Sequence, residues 1–162
     1  MSIVFYYMYL TTQQFKRDPL THALNRRCFY LDADHLMESK CLTAVISIDL
    51  NDLKRFNDEN GHAAGDAALC TIVACIQNIL PRGCHLYRIG GDEFMILCSR
   101  VSKDDVPALI DHIRRELSKT LYCCAIGFAT PDADEDFEHI CSIADAAMYA
   151  NKKQLKGEDT IR

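Results

Sequence analysis

Residues 87–97 read Tyr-Arg-Ile-Gly-Gly-Asp-Glu-Phe-Met-Ile-Leu, two apolar runs joined through a bare Gly-Gly step. No other stretch constrains the fold as tightly. A run of β-formers that breaks at two glycines and then resumes has to turn back on itself. Both central positions of a type I′ hairpin turn need positive φ, which glycine adopts freely. The pattern predicts strands over 85–89 and 93–99, joined by a two-residue turn at Gly90 and Gly91. It also places two adjacent acids, Asp92 and Glu93, at the exit of that turn.

The remaining segments supply partners for the hairpin. Helical spacing is visible in 24–38 (Leu24, Cys28, Leu31) and in 64–80 (Leu69, Ile72, Val73, Ile76, Leu80), the latter stopped by Pro81 and Gly83. It recurs in 105–119 (Val106, Ile110, Ile113, Leu117) and in 136–154 (Ile140, Ile143, Ala144, Ala147, Met148). The β-branched run 41–50 and the run 121–129 read as buried strands, and 158–162 as a last edge strand. The polar stretch after Leu50 reads as a short helix and a loop closed by Gly61. The order α, β, α, α, hairpin, α, β, α gives an α/β (α+β) fold, a mixed sheet with helices packed against it.

With 162 residues and 49% hydrophobic content the chain suits one domain with a sizeable core. Its net charge of −5 argues against a nucleic-acid surface, while leaving room for a small anionic ligand at a locally basic or metal-loaded site. Nine cysteines without a Cys-x-x-Cys pair read as small buried hydrophobes in a reducing compartment rather than as zinc ligands. Residues 3–10 (Ile-Val-Phe-Tyr-Tyr-Met-Tyr-Leu) are too few to span a bilayer, which needs about 20. Residues 1–17 have two readings. One is a helix that packs on the domain or a partner. The other is the cytoplasmic end of a membrane or signalling helix, with Lys16 and Arg17 on the cytoplasmic side.

Asp49 falls at the end of the buried run 41–50. If that strand neighbours the hairpin, Asp49, Asp92 and Glu93 converge at one rim. Carboxylates that close repel, so such a cluster calls for a cation, and oxygen ligands favour Mg²⁺ or Mn²⁺. Asn57 and Asp66 together could read a guanine edge, the carboxylate accepting from N1–H and the 2-amino group and the amide donating to O6. Lys152 and Lys156, four residues apart, share a helix face and suit a triphosphate. Each residue alone also has an ordinary structural reading, as a turn residue, a first-turn acid or a basic helix end.

Five blocks then fall in order: Asp18–Arg27, Ile48–Asp66, Arg88–Phe94, Cys124–Ala129 and Ala144–Lys153. In them residues 18–162 closely resemble the GGDEF-domain diguanylate cyclases. The resemblance implies a palm-like central sheet wrapped by helices. It implies condensation of two GTP into cyclic di-GMP with release of two pyrophosphates, in a transient two-fold homodimer. It implies metal ligation by Asp49, the Leu50 carbonyl, Asp92 and Glu93, with Glu93 as ligand or base. Gly90 and Gly91 would lie against the nucleotide, and Asn57 and Asp66 would bind guanine. Lys152 and Lys156 would hold the terminal phosphates, assisted by Lys54 and the backbone near Asp52 and Leu53. It further implies a bacterial signalling protein whose sensor or membrane region lies upstream of this chain, with this domain cytoplasmic. A non-catalytic module of the same family, binding GTP or a partner, is the alternative.

The chain departs from the family pattern at several points. Asn51, Asp52 and Leu53 stand where Asp-Phe is frequent, Asn151 and Leu155 replace a small residue and glycine, and Lys156 replaces the commoner Arg. Pro81 and Cys84 occupy the Arg and Asp positions of the inhibitory site that many relatives carry, so no product inhibition through that site is expected.

Overall fold

The structure, a computed structural model, describes residues 16–159, and the backbone alone at Glu158 and Asp159. The N-terminal apolar stretch lies outside the described residues. In chain order the elements are β1 (Leu24–Asn25), α1 (Arg26–Glu38), β2 (Ala44–Leu50), α2 (Leu53–Asn60), α3 (His62–Gln77), β3 (Cys84–Arg88), β4 (Glu93–Cys98), α4 (Val106–Leu117), β5 (Cys124–Ala129) and α5 (Phe137–Asp159). The sheet runs β1-β3-β4-β2-β5, antiparallel throughout except for the parallel β1–β3 pair. The mixed sheet wrapped by helices matches the expected α+β class.

Every residue of β2 is buried, because helices cover both faces of the sheet. The strand's alternation still sorts its side chains. Ala44, Ile46, Ile48 and Leu50 join the larger core with Leu69, Ile72 and Ile76 of α3 and Ile110 and Ile113 of α4. Val45 joins the smaller core with Phe29 of α1 and Ile140 and Ala144 of α5. Ser47 and Asp49, on the same side as Val45, are the buried polar residues of the strand. Truncating a core residue such as Ile46 to Ala costs about 2–5 kcal/mol.

Three sequence expectations are corrected. Leu24 and Asn25 form a strand, and the Asn25 side chain caps α1 by accepting from Cys28 N, so the helix begins at Arg26. Its inward residues are Cys28, Phe29 and Ala33, while Leu31 is exposed. Residues 158 and 159 extend α5 instead of starting an edge strand. On α5 the stripe narrows, since Ile140 and Ala144 are buried while Ile143 and Ala147 face solvent. Three cysteines are buried, Cys28, Cys84 and Cys98, while Cys41 and Cys123 are exposed and all nine are free thiols. Among the described residues no helix is long and apolar enough to cross a membrane.

Candidate functional site

β2 ends at Leu50 and α2 begins at Leu53, so the chain turns sharply from strand to helix at Asn51 and Asp52. Asp52 takes up that turn in the left-handed region, with φ of 56° and no side-chain cap on the helix. Acidic and amide residues tolerate this conformation better than most. The first amides of α2 therefore face the rim without an intrahelical partner.

The strand register brings the acids together. Asp49 pairs opposite Glu93 across β2–β4, and Leu50 N donates to Asp92 O at 3.0 Å. Asp49 is 7% exposed, whereas Asp92 is half-buried and Glu93 exposed. Among the described residues these acids do not close into a ready-made metal cluster of three. The charge is balanced instead by α5. Lys152 Nζ donates to Asp49 Oδ1, and Lys156 Nζ lies 3.5 Å from Asp52 Oδ1. Burial works against the Lys152 charge, but the Asp49 hydrogen bond and the charges of Asp49, Asp92 and Asp52 outweigh it and raise its pKa above the ordinary value. Three acids, one at the end of β2 and two in the adjoining turns, therefore act on one ammonium.

Two features locate α5. Gly127 of β5 lies directly beneath it, where a Cβ would sit 2.0 Å from Met148 N and 2.4 Å from Ala144 O. Asn151 Oδ1 accepts from Ile126 N at 2.9 Å. Asn151 appeared in the sequence as a departure from the family pattern; here it pins the helix turn that carries Lys152.

The hairpin turn differs from expectation. Neither Gly90 nor Gly91 has positive φ, and Ile89 N donates to Glu93 O at 2.9 Å, leaving Gly90, Gly91 and Asp92 as a three-residue loop. The reason is Arg88. Its guanidinium donates to Gly90 O at 3.2 Å and, through Nη2, to Gly91 O at 2.8 Å, while Nη1 bonds Asp18 Oδ1 at 2.9 Å. The turn carbonyls are thus held from within, and the first sequence block is tied to the third. Burial raises the Asp18 pKa, but Thr21 and Arg88 bonds overcome this and lower it. The glycines serve space rather than φ. A Cβ on Gly90 would lie 2.7 Å from Glu93 Oε2, and one on Gly91 would meet nothing within 4 Å. Arg88 was missed in the sequence, although its place directly before the glycines was a signal.

Asn57 sits on α3. Its Oδ1 would be 1.8 Å from a Cβ on Gly65, and that oxygen is buried with no hydrogen-bond partner. Asp66, the next residue, is exposed. The Lys54 and Asp66 side chains have no hydrogen bond or ion pair among the described residues, so the structure does not draw Lys54 into the acid–lysine cluster. Asn51 Oδ1 is also buried and unpartnered, beside a cavity of about 190 Å³ that Leu53, Tyr122 and Lys156 help to line.

The arrangement is an acidic strand-end rim with two cations above it, an uncapped helix start and a buried unpaired amide. It suits a polyphosphate ligand with a polar base. Comparison with known proteins gives the family. The family model for the diguanylate cyclase GGDEF domain matches residues 15–158. The chain is 29% identical over 151 residues to the diguanylate cyclase DosC of Escherichia coli K12, covering 85% of this chain and 33% of that one. It is 30% identical over 152 residues to the cyclic di-GMP phosphodiesterase PdeR of the same organism, covering 87% and 23%. The chain thus spans about one third of the length of DosC and less than a quarter of that of PdeR. Its fold superposes on the coiled coil and GGDEF domain of DgcB from Caulobacter crescentus with a TM-score of 0.85 at 23% identity, covering 93% and 87%. Five motif blocks in register, the sheet order and the family match converge on one statement: the chain belongs to the GGDEF-domain family of the diguanylate cyclases.

Proposed function

We propose that the chain is an active diguanylate cyclase, condensing two GTP into cyclic di-GMP with release of two pyrophosphates. The observation that carries the reading is the meeting of Lys152 and Lys156 with Asp49 and Asp52 at the rim where Asp92 and Glu93 arrive. A module kept only for binding has no need of that density of acids.

Each residue then has a role. Lys152 and Lys156 exchange their carboxylate partners for the β- and γ-phosphates, helped by the first amides of α2 near Asp52 and Leu53. Lys54, exposed on the first turn of α2, adds charge at the phosphates. The open space over Gly91 admits the ribose-phosphate backbone. Asn57 donates to guanine O6 and Asp66 accepts from N1–H and the 2-amino group, so adenine leaves both unpaired. The donor set of Asp49, Asp92, Glu93 and the Leu50 carbonyl is all oxygen, which fits Mg²⁺ or Mn²⁺ with substrate phosphates completing the shell. Such an ion supplies charge neutralisation at the phosphates and a lowered pKa at a bound hydroxyl. Glu93 lies against Gly90, placed to accept a proton from the attacking 3′-hydroxyl or to join the ion.

One such site binds one GTP, so two domains have to face each other, and a two-fold homodimer suits a two-fold product. A domain that consumes GTP works where GTP is supplied, in the cytoplasm. The decisive experiment incubates the protein at high concentration with GTP and Mg²⁺ beside Asp92→Ala. Cyclic di-GMP from the wild type alone is the expected result. GTP binding without product, persisting after forced dimerisation, would sink the cyclase reading in favour of a binding module.

A further inference from the structure

Cys84 and Cys98 stand directly opposite each other in the β3–β4 register. The hydrogen bonds fix what kind of pair this is. Ile89 N donates to Glu93 O and Ser99 N to Gly83 O, so the pairs 89/93 and 83/99 are hydrogen-bonded ones. Alternation along the ladder makes 84/98 a non-hydrogen-bonded pair, the kind in which Cα atoms approach to about 4.5 Å and side chains lie closest. That separation falls within the disulfide window of about 4.4–6.8 Å. Both side chains point into the larger core, at 6% and 0% exposure, where few rotamers are open to them.

The thiols already interact. Each acts on the other's proton: Cys98 lowers the Cys84 pKa, while Cys84 and burial raise that of Cys98. Nucleophile and resolving thiol are thereby distinguished. There is also a way in. β1 covers only Tyr87 and Arg88, so Cys84 lies on the open edge of β3. A cleft of about 540 Å³ runs along that edge, lined by Cys84 and by the cations Lys16 and Arg17 among others. The exposed thiols Cys41 and Cys123 have no such partner.

We propose that Cys84 and Cys98 form a redox-modification site, a vicinal cross-strand dithiol that closes reversibly to a disulfide at the base of the hairpin bearing Gly90–Glu93. The co-oxidant is a small anionic disulfide of the glutathione class. The Cys84 thiolate attacks one sulfur of the oxidant, forming a mixed disulfide and expelling one thiolate. Cys98 gives up its proton and attacks the Cys84 sulfur, forming the protein disulfide and expelling the second thiolate. Two protein thiols lose two electrons and two protons, and one oxidant disulfide becomes two thiols. This site does not depend on the cyclase reading.

The test uses the full chain under native conditions with oxidised glutathione, followed by blocking of remaining thiols and a tryptic map without reductant. Cleavage after Arg82, Arg88 and Arg100 yields peptides 83–88 and 89–100. The expected result is those two peptides joined, with a mass loss of about 2 Da that dithiothreitol reverses. A Cys41→Ser/Cys123→Ser background should keep the link, and Cys98→Ser should trap glutathione on Cys84. Recovery of Cys84 and Cys98 as blocked free thiols while Cys41 and Cys123 carry glutathione overturns the proposal. So does a link from Cys84 to Cys28 in the same cleft.

Discussion

Gly65→Ala separates folding from recognition, because the added methyl strikes a side chain rather than the backbone. A Cβ at Gly65 would lie 1.8 Å from Asn57 Oδ1 and 2.7 Å from its Cγ. Overpacking of that kind costs about 1–3 kcal/mol when nothing can move. Here Asn57 can rotate away. Doing so returns a buried, unpartnered Oδ1 to water, and Ala gains about 0.5–1 kcal/mol over Gly within the helix. The net change in folding stability should therefore stay within about 1 kcal/mol, measured by urea denaturation. Ligand binding has no such compensation. A guanine carbonyl left without its amide costs about 1–3 kcal/mol, or roughly 5–150-fold in GTP affinity. Calorimetric titration of Mg²⁺-GTP should show that loss, and Asn57→Ala should show the same one. The double variant should lose no more than either single variant, since both remove one contact. Wild-type GTP affinity in a stable Gly65→Ala protein, or full additivity of the two losses, would refute the claim that Gly65 presents Asn57 to the ligand.

Lys152→Met leaves Asp49, 7% exposed, without its cation, and should lower stability by about 1–3 kcal/mol in chelator, with part of the loss restored by Mg²⁺. Because the folded pKa of Lys152 is raised, its contribution is complete below the ordinary value of 10.5 and fades as pH rises through the folded one. The stability gap between wild type and Lys152→Met should accordingly narrow between mildly and strongly alkaline pH. Asp18 gives the opposite profile: its pKa is lowered, so its bonds to Thr21 and Arg88 contribute above the ordinary 3.8 and are lost as pH falls through the depressed value. Asp18→Asn should flatten the acid limb of the stability curve. Gly127→Ala meets the backbone of α5 at 2.0 Å and should cost about 3 kcal/mol or more, together with phosphate binding, because both lysines ride on that helix.

Much of the fold could be read from periodicity, because the buried runs are long. The seven buried residues of β2 and the stripe Val106, Ile110, Ile113 and Leu117 of α4 carry unambiguous patterns. β1 could not be read, since two residues have no period and their strand character comes from pairing with Tyr87 and Arg88. The turn conformation was misread for a related reason. Gly-Gly signals a type I′ turn only when no side chain competes for the carbonyls, and Arg88 does compete. The site residues Asp49, Asp52, Lys152 and Lys156 were legible as types, and the structure brings them together. Their pairing was not legible, because it depends on how far α5 slides along β5, which Gly127 and Asn151 set by contacts invisible in one dimension.

Those contacts also bear on how two domains could meet. In the β2–β5 ladder Asn51 N donates to Cys123 O, so residues 49, 47 and 45 alternate as bonded partners and Ile126 turns its own amide and carbonyl outward. Both outward groups are covered: Asn151 Oδ1 accepts from Ile126 N, and Arg114 Nη2 donates to Ile126 O at 3.5 Å. An edge strand blunted at its midpoint is a poor template for another chain. The bond that aims Lys152 at Asp49 thus also closes β5 to sheet extension. The proposed two-fold dimer is therefore expected on another face, the one on which Gly91 and Glu93 are exposed. There the two α-phosphates could approach across the two-fold axis without disturbing the strand that fixes the lysines.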